Sequence, residues 1–241
     1  MWGIVQRWDV YGVRPVRINA VFFDSGHTLM RPRDGRWFPG SRFFEICTAR
    51  GNQINDDERL RTACDTGYEF LAAHHDQVPD LAAETRQFDE YYRIVLDALG
   101  AQWTDELTAE LAAAAVNEVN FEPYPTTASL LDELAARGVP MAVITDAWPS
   151  IRHKYALLGF LDYFSSFVIS AEVGCTKPDF DIFRPALDAL QVAPNDVLFI
   201  DDGPEIVAGA SRLGFVAHQI DLETATVPLI THRQILDLLD A

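Results

Sequence analysis

An apolar run, Val21-Phe22-Phe23, ends on a lone carboxylate, Asp24, and passes at once into Ser25-Gly26-His27-Thr28-Leu29. Apolar residues followed by turn chemistry predict a strand that stops at the aspartate. In open α/β folds ligands gather outside the carboxyl ends of parallel strands, and a carboxylate held there can act as a nucleophile. Other apolar runs end in the same way. Thr145 closes Met141-Ala142-Val143-Ile144, and the pair Asp201-Asp202 closes Val197-Leu198-Phe199-Ile200 ahead of Gly203-Pro204-Glu205. Lys177 stands in Cys175-Thr176-Lys177-Pro178-Asp179, before a helical pattern that includes Ile182 and Phe183. Taken singly, each has a plain structural reading: a turn, a β-branched strand residue, a solvated cation, a helix cap. At the ends of neighbouring strands they would converge on one small volume.

Each group has a task if the substrate is a phosphate ester. The carboxylate of Asp24 attacks, the Thr145 hydroxyl donates to a phosphoryl oxygen, and Lys177 offsets charge on the nucleophile and the transferring group. The Asp201-Asp202 pair supplies hard oxygen ligands which, with Asp24, suit Mg²⁺.

The elements that must position these residues fall into two patterns. In the C-terminal half, strand-like runs at Met141–Thr145, Phe167–Ser170, Val197–Ile200 and Phe215–Ile220 alternate with helical spacing at Thr126–Arg137, Ser150–Leu158, Phe180–Leu190 and Pro204–Leu213. This alternation predicts an α/β fold, a Rossmann-like parallel sheet with helices on both faces. From about Arg31 to Glu122 the chain reads as helices alone: Arg42–Arg50, Asp56–His74, Glu84–Leu99 and Asp105–Val119. A helical block inserted after the first strand predicts an all-helical subdomain over residues 31–122, set on a core of 1–30 and 123–241. Linkers fall near Pro32–Pro39 and Pro123–Pro125, and residues 1–19 form an N-terminal extension.

Composition limits the partners. The chain has 241 residues, 19 basic against 36 acidic, for a formal net charge of −17. Such a field repels nucleic acid and anionic membranes, so neither is expected as a partner. It also repels small anions at long range, so a site for one must build its own positive field. Lys154 and Lys177 are the only lysines. No apolar run is long enough to span a bilayer and the N-terminus lacks a signal-peptide pattern, which points to the cytoplasm. Cys47, Cys64 and Cys175 fit neither a disulfide framework nor a zinc site.

On these residues the chain resembles the haloacid dehalogenase superfamily, in the branch with a helical cap inserted after the first strand. Asp24 matches its nucleophile, Thr145 its second motif, Lys177 its third and Asp202 its acidic fourth. The resemblance implies a hydrolase, most often a Mg²⁺-dependent phosphatase of a small phosphorylated metabolite that works through an aspartyl-phosphate. It also implies a metal set of Asp24, the Gly26 carbonyl, Asp202 and Asp201.

Departures from the pattern sharpen the expectation. Gly26 stands where the family's phosphatases place an aspartate that protonates the leaving group, help worth about 10²–10⁴ in rate. A phosphatase lacking it would favour acyl, aryl or anomeric phosphates. His27 replaces a usual glycine, either as a residue that tolerates left-handed backbone or as a substitute proton relay. Ile206 and Val207 occupy positions where the family often has Asn or Asp, with Glu205 close by. Arg31, Arg33, Arg36, Trp37 and Phe38 follow the nucleophile and could meet substrate, whereas Tyr91-Tyr92 reads as helix packing. Alternatives are metal-independent carbon–halogen cleavage, disfavoured by Asp202, and a catalytically weak or inactive binding protein. A phosphonatase with a cap lysine is disfavoured further by the absence of lysine from Arg31 to Glu122.

Overall fold

The computed structural model describes residues 18–223 and 231–240, so most of the N-terminal extension lies outside the described residues. The chain begins with β1 (Ala20–Phe23) and β2 (Met30–Pro32). It then runs through α1 (Phe43–Ala49), α2 (Glu58–Ala73), α3 (Leu81–Leu99) and α4 (Asp105–Asn117) before β3 (Phe121–Pro123). Strands and helices alternate from there: α5 (Thr127–Ala136), β4 (Met141–Thr145), α6 (Ser150–Leu157), β5 (Ser166–Ile169), α7 (Ser170–Val173) and α8 (Phe180–Leu190). β6 (Val197–Asp201), α9 (Pro204–Arg212), β7 (Val216–Gln219) and α10 (His232–Leu239) complete the order.

Five strands form one parallel sheet in the order β5-β4-β1-β6-β7, which is the expected α/β, Rossmann-like arrangement. Side chains alternate across each strand, so β1 feeds two cores. Val21 and Phe23 join Val143, Leu198 and Ile200 beneath α5, α6 and α10. Ala20 and Phe22 join Ala142, Ile144 and Phe199 beneath α8 and α9. With both faces covered, the strands are continuously apolar, and this explains why they were legible as runs. The central position of β1 puts Asp24 beside the ends of both β4 and β6.

Helices α1 to α4 bury a third cluster of their own, built on Phe43, Leu60, Tyr91, Tyr92 and Leu111. Tyr91 and Tyr92 are fully buried there, as helix packing requires. Asp80 caps α3 by accepting the Ala83 N–H, which starts that helix at Leu81, a turn ahead of its apolar periodicity. One expectation is corrected at the hinge. The stretch flanking the helices is not strand-free, because Met30–Pro32 and Phe121–Pro123 pair antiparallel and tie both crossings together. Strands this short carry no periodicity to read. Among the described residues no helix is long and apolar enough to cross a membrane.

α9 lies hard against the loop that bears Lys177. A Cβ added to Gly209 would stand 2.4 Å from both Cβ and Cγ of Pro178. Replacing an interior helical glycine with alanine gains up to about 1 kcal/mol in propensity, but overpacking a rigid ring costs about 1–3 kcal/mol. Gly209→Ala is therefore expected to lower stability in chemical denaturation, and to displace Lys177 as it does so.

Candidate active site

The sheet brings the strand-end residues together. The Asp24 N–H donates to Ile200 O at 2.8 Å, carrying the β1–β6 pairing one residue past the strand and fixing the backbone that projects the carboxylate. Lys177 Nζ donates to Asp24 Oδ1 at 2.5 Å and to Asp201 Oδ2 at 2.7 Å. All three side chains are buried. Asp201 uses its other oxygen on the Gly203 N–H at 2.8 Å, so it holds the lysine and the turn rather than facing the cavity. The Lys177 N–H donates to Asp146 Oδ1 at 3.1 Å, which anchors the loop from its other side. Thr145 is the buried last residue of β4, next to β1 in the sheet.

Between Asp24 and β2 the chain makes a tight turn. Ser25 O accepts the N–H groups of Leu29 and Met30, and Met30 O accepts that of His27. The Gly26 carbonyl takes no part in these bonds. His27 sits at φ +52°, so the left-handed reading of this position holds. Its Nε2 accepts the Trp37 indole N–H at 3.1 Å. Indole nitrogen only donates, so this contact requires an unprotonated Nε2 and leaves the ring proton on Nδ1, 3.4 Å from Glu223. Trp37 also covers Gly26: a Cβ there would lie 3.2 Å from the indole Cζ2. The space that a longer side chain would need is thus filled by an aromatic ring.

Asp24, Gly26, His27, Thr145, Asp146 and Asp202 open onto one cavity of about 360 Å³. Its other walls come from the helical segment and from α6. Trp37 and Phe38 line it, but the arginines expected beside them do not. Arg31 pairs with Glu122 at 2.7 Å and lies over the Tyr124 ring; Arg36 pairs with Asp56 at 2.6 Å and lies over Phe44. Glu205 is exposed, and Ile206 packs into the apolar cluster under α9.

Charge in the site is unbalanced. Burial pushes the Asp24 carboxyl up to about 8, the carboxylates of Asp201 and Asp202 add to the rise, and Lys177 opposes it. Burial disfavours the Lys177 ammonium, yet Asp24 and Asp201 outweigh that cost and raise its pKa. Asp202, half-buried, is also raised by burial and by Asp201. One ammonium thus faces Asp24, Asp146, Asp201 and Asp202.

Several cavity residues were not singled out from sequence. Glu84 on α3 accepts both the N–H and the hydroxyl of Ser150, at 2.7 and 2.5 Å, joining the helical segment to the start of α6. Trp148 donates to Gln87 at 2.6 Å, Lys154 donates to Ala115 O at 2.7 Å, and His75 meets the Ser170 hydroxyl at 2.5 Å. Asp146 had a usable signal, since it follows Thr145 at the strand end. Glu84 and Trp148 had none, because a glutamate in an amphipathic helix is ordinarily solvated.

Two buried histidines give a pH dependence. Burial lowers the pKa of His75 and of His232, whose ring bridges Thr28 O and the Thr126 hydroxyl. Both stay neutral in the fold while the unfolded chain takes up protons near pH 6.5. Their contribution is complete above that pH and lost as pH falls below it. The raised carboxyls of Asp24 and Asp202 act in the opposite sense over the same range, so the readout is the difference from the unsubstituted protein: between pH 7 and pH 5, His75→Asn and His232→Asn should each lose less denaturation midpoint, or gain more, than the parent does.

Known proteins share this architecture. A phosphoserine phosphatase of Thermus thermophilus is 37% identical over 145 residues, covering 58% of this chain and 57% of that enzyme. The chain thus spans little more than half the length of that relative. A glyceraldehyde 3-phosphate phosphatase of Methanopyrus kandleri is 27% identical over 212 residues, 84% of each chain. The solved L-2-haloacid dehalogenase of Xanthobacter autotrophicus superposes with a TM-score of 0.62 at 24% identity, over 86% of this chain and 79% of its own. Residues 18–214 match the haloacid dehalogenase-like hydrolase family. With that match over most of its length, the chain belongs to the haloacid dehalogenase-like hydrolases.

Proposed function

We propose that this hydrolase is a Mg²⁺-dependent phosphatase that cleaves a small phosphate monoester through an aspartyl-phosphate on Asp24. The observation that carries the reading is the buried ammonium of Lys177 shared between Asp24 and Asp201, with the Asp24 carboxylate open to a cavity that Thr145 and Asp202 also line. The identity to two phosphatases supports it. Residues 1–30 and 123–241 serve as the core and 31–122 as a helical cap over the strand ends, supported by the separate apolar cluster of α1 to α4. We place the protein in the cytoplasm.

In this reading Lys177 holds Asp24 Oδ1, and the other oxygen attacks phosphorus as the bond to the leaving oxygen breaks. Lys177 and the Thr145 hydroxyl hold the phosphoryl oxygens. Water then attacks phosphorus and releases inorganic phosphate and free Asp24. The residues fit a magnesium ion. Among the described residues no three acidic, histidine or cysteine side chains are arranged to hold a metal ion by themselves. Asp24, Asp202 and the uncommitted Gly26 carbonyl nevertheless make a hard-oxygen set of the kind Mg²⁺ accepts while keeping several waters. Asp201, committed to Lys177, acts from outside that set. When bound, the ion supplies positive charge that keeps Asp24 ionised at neutral pH and screens it from the phosphate.

Carbon–halogen displacement by Asp24 is the second reading, favoured by the aromatic cavity walls. Asp202 weighs against it, because a carboxylate on the same wall repels departing halide.

Phosphate release from acetyl or aryl phosphates should require Mg²⁺, stop with a chelator and disappear in Asp24→Asn. Thr145→Ala should lower kcat roughly 10²-fold, the scale of losing one donor to developing charge. Without an acid at Gly26, rates should fall steeply as the leaving-group pKa rises from phenols to alkanols. A flat dependence would show that another cavity acid, Asp146 first among them, protonates the leaving oxygen. Mg²⁺ should also raise the Tm of the protein alone, and Asp202→Asn should remove that rise.

A further inference from the structure

The cavity has two unlike ends. At the strand ends it is acidic and polar. Away from them its walls are mostly the rings of Trp37, Phe38, Tyr68, Phe88, Phe121 and Trp148, and the polar side chains among them are largely committed: Glu84 to Ser150, and the Asn120 amide to Trp37 O. These rings brace one another: Phe38 lies 5.6 Å from Phe88 and 5.8 Å from Trp148 between centroids, and Trp37 lies 6.1 Å from Phe121. Tyr68, half exposed, stands 6.2 Å from Phe38 and leaves apolar surface uncovered at the wall. A sugar or amino-acid moiety would lose hydrogen bonds to water against such walls and gain few in return. A flat apolar group would gain ring contacts instead.

One cation lines this part of the cavity. Lys154 is buried where α6 meets α4, and among the described residues its ammonium makes one hydrogen bond, to Ala115 O. An ammonium has three donors, so it can serve a ligand acceptor as well. Its charge is already faced by Glu84 and Glu118, and both Glu84 oxygens are occupied by Ser150. Little positive field is left to balance a substrate carboxylate. Although burial lowers it to about 8, Lys154 remains largely protonated at neutral pH.

Resting on the phosphatase reading, we infer that the group carried by the phosphate is flat, apolar and uncharged, of aryl size. It sits between Trp37, Phe38, Phe88 and Trp148 and offers one hydrogen-bond acceptor to Lys154. The ring over Gly26 agrees from a separate direction. Trp37 fills the place a proton donor would need, and phenolate-type leaving groups depart without one.

Binding must be separated from leaving-group reactivity, so the test uses non-hydrolysable phosphonates as competitive inhibitors of acetyl phosphate turnover. Benzylphosphonate should inhibit at least about tenfold more tightly than methylphosphonate or phosphonoacetate, the scale of a filled apolar pocket. A 4-acetyl group on the ring should tighten inhibition further. Lys154→Met should erase that last increment, and Tyr68→Ala should weaken both ring compounds relative to methylphosphonate. Inhibition ratios do not depend on the fraction of enzyme folded, so partial loss of protein leaves the test valid. If acetyl phosphate is consumed but phosphonoacetate binds as tightly as benzylphosphonate, the aryl inference falls and the phosphatase reading stands. If acetyl phosphate and every ester tried are inert, both fall together.

Discussion

One buried ammonium organises this protein. Lys177 is shared by Asp24 and Asp201, carboxylates that end adjacent strands, and all three side chains lie out of water. Removing a charge from water costs several kcal/mol unless partners replace the lost solvation, and the ammonium is the partner that both carboxylates share. The rest of the architecture delivers that contact. Pairing of β1 with β6 sets the two aspartates side by side, while Asp146 and the close approach of Gly209 to Pro178 hold the lysine loop on both sides. One ammonium does not neutralise the acids around it, and the proposed Mg²⁺ would offset the residual negative charge.

The second constraint lies over the nucleophile. Gly26, His27 and Trp37 form a unit in which the indole covers the glycine and assigns the histidine tautomer. A residue that departs from the family pattern is therefore compensated by another, ten positions downstream from His27. The arrangement exchanges a proton donor for apolar cover, and an uncovered leaving oxygen is consistent with a substrate that needs no protonation. Trp37 links the turn after β1 to the aromatic wall of the cavity.

Much of this was legible in the sequence because it rests on local patterns. Parallel strands covered on both faces read as apolar runs, so the core strands and the helices α5, α6, α8 and α9 could be placed, with Asp24, Thr145 and Asp202 at strand ends and Lys177 in the loop before α8; the short α7 and the C-terminal α10 were not read. What escaped depended on contacts across long sequence separations. The β2–β3 pair is too short for periodicity and exists because its halves meet across the helical insertion. Asp201 read as a metal ligand from its neighbour, yet its carboxylate turns to Lys177, which only the folded sheet reveals. The arginines after the nucleophile looked available until Glu122 and Asp56 were found facing them. Glu84 and Lys154 gain meaning only where α3 and α4 meet α6.

The central claim is that Asp24 is the nucleophile toward phosphorus. The most direct measurement is acid-quenched peptide mass spectrometry of the Mg²⁺-loaded protein mixed with acetyl phosphate, with a 2-haloacid run in parallel. A nucleophilic Asp24 predicts one phosphoryl group on the peptide that contains it, absent in Asp24→Asn, and no adduct from the haloacid. An ester adduct formed from the haloacid on Asp24, with no phosphoryl group from acetyl phosphate, would contradict it.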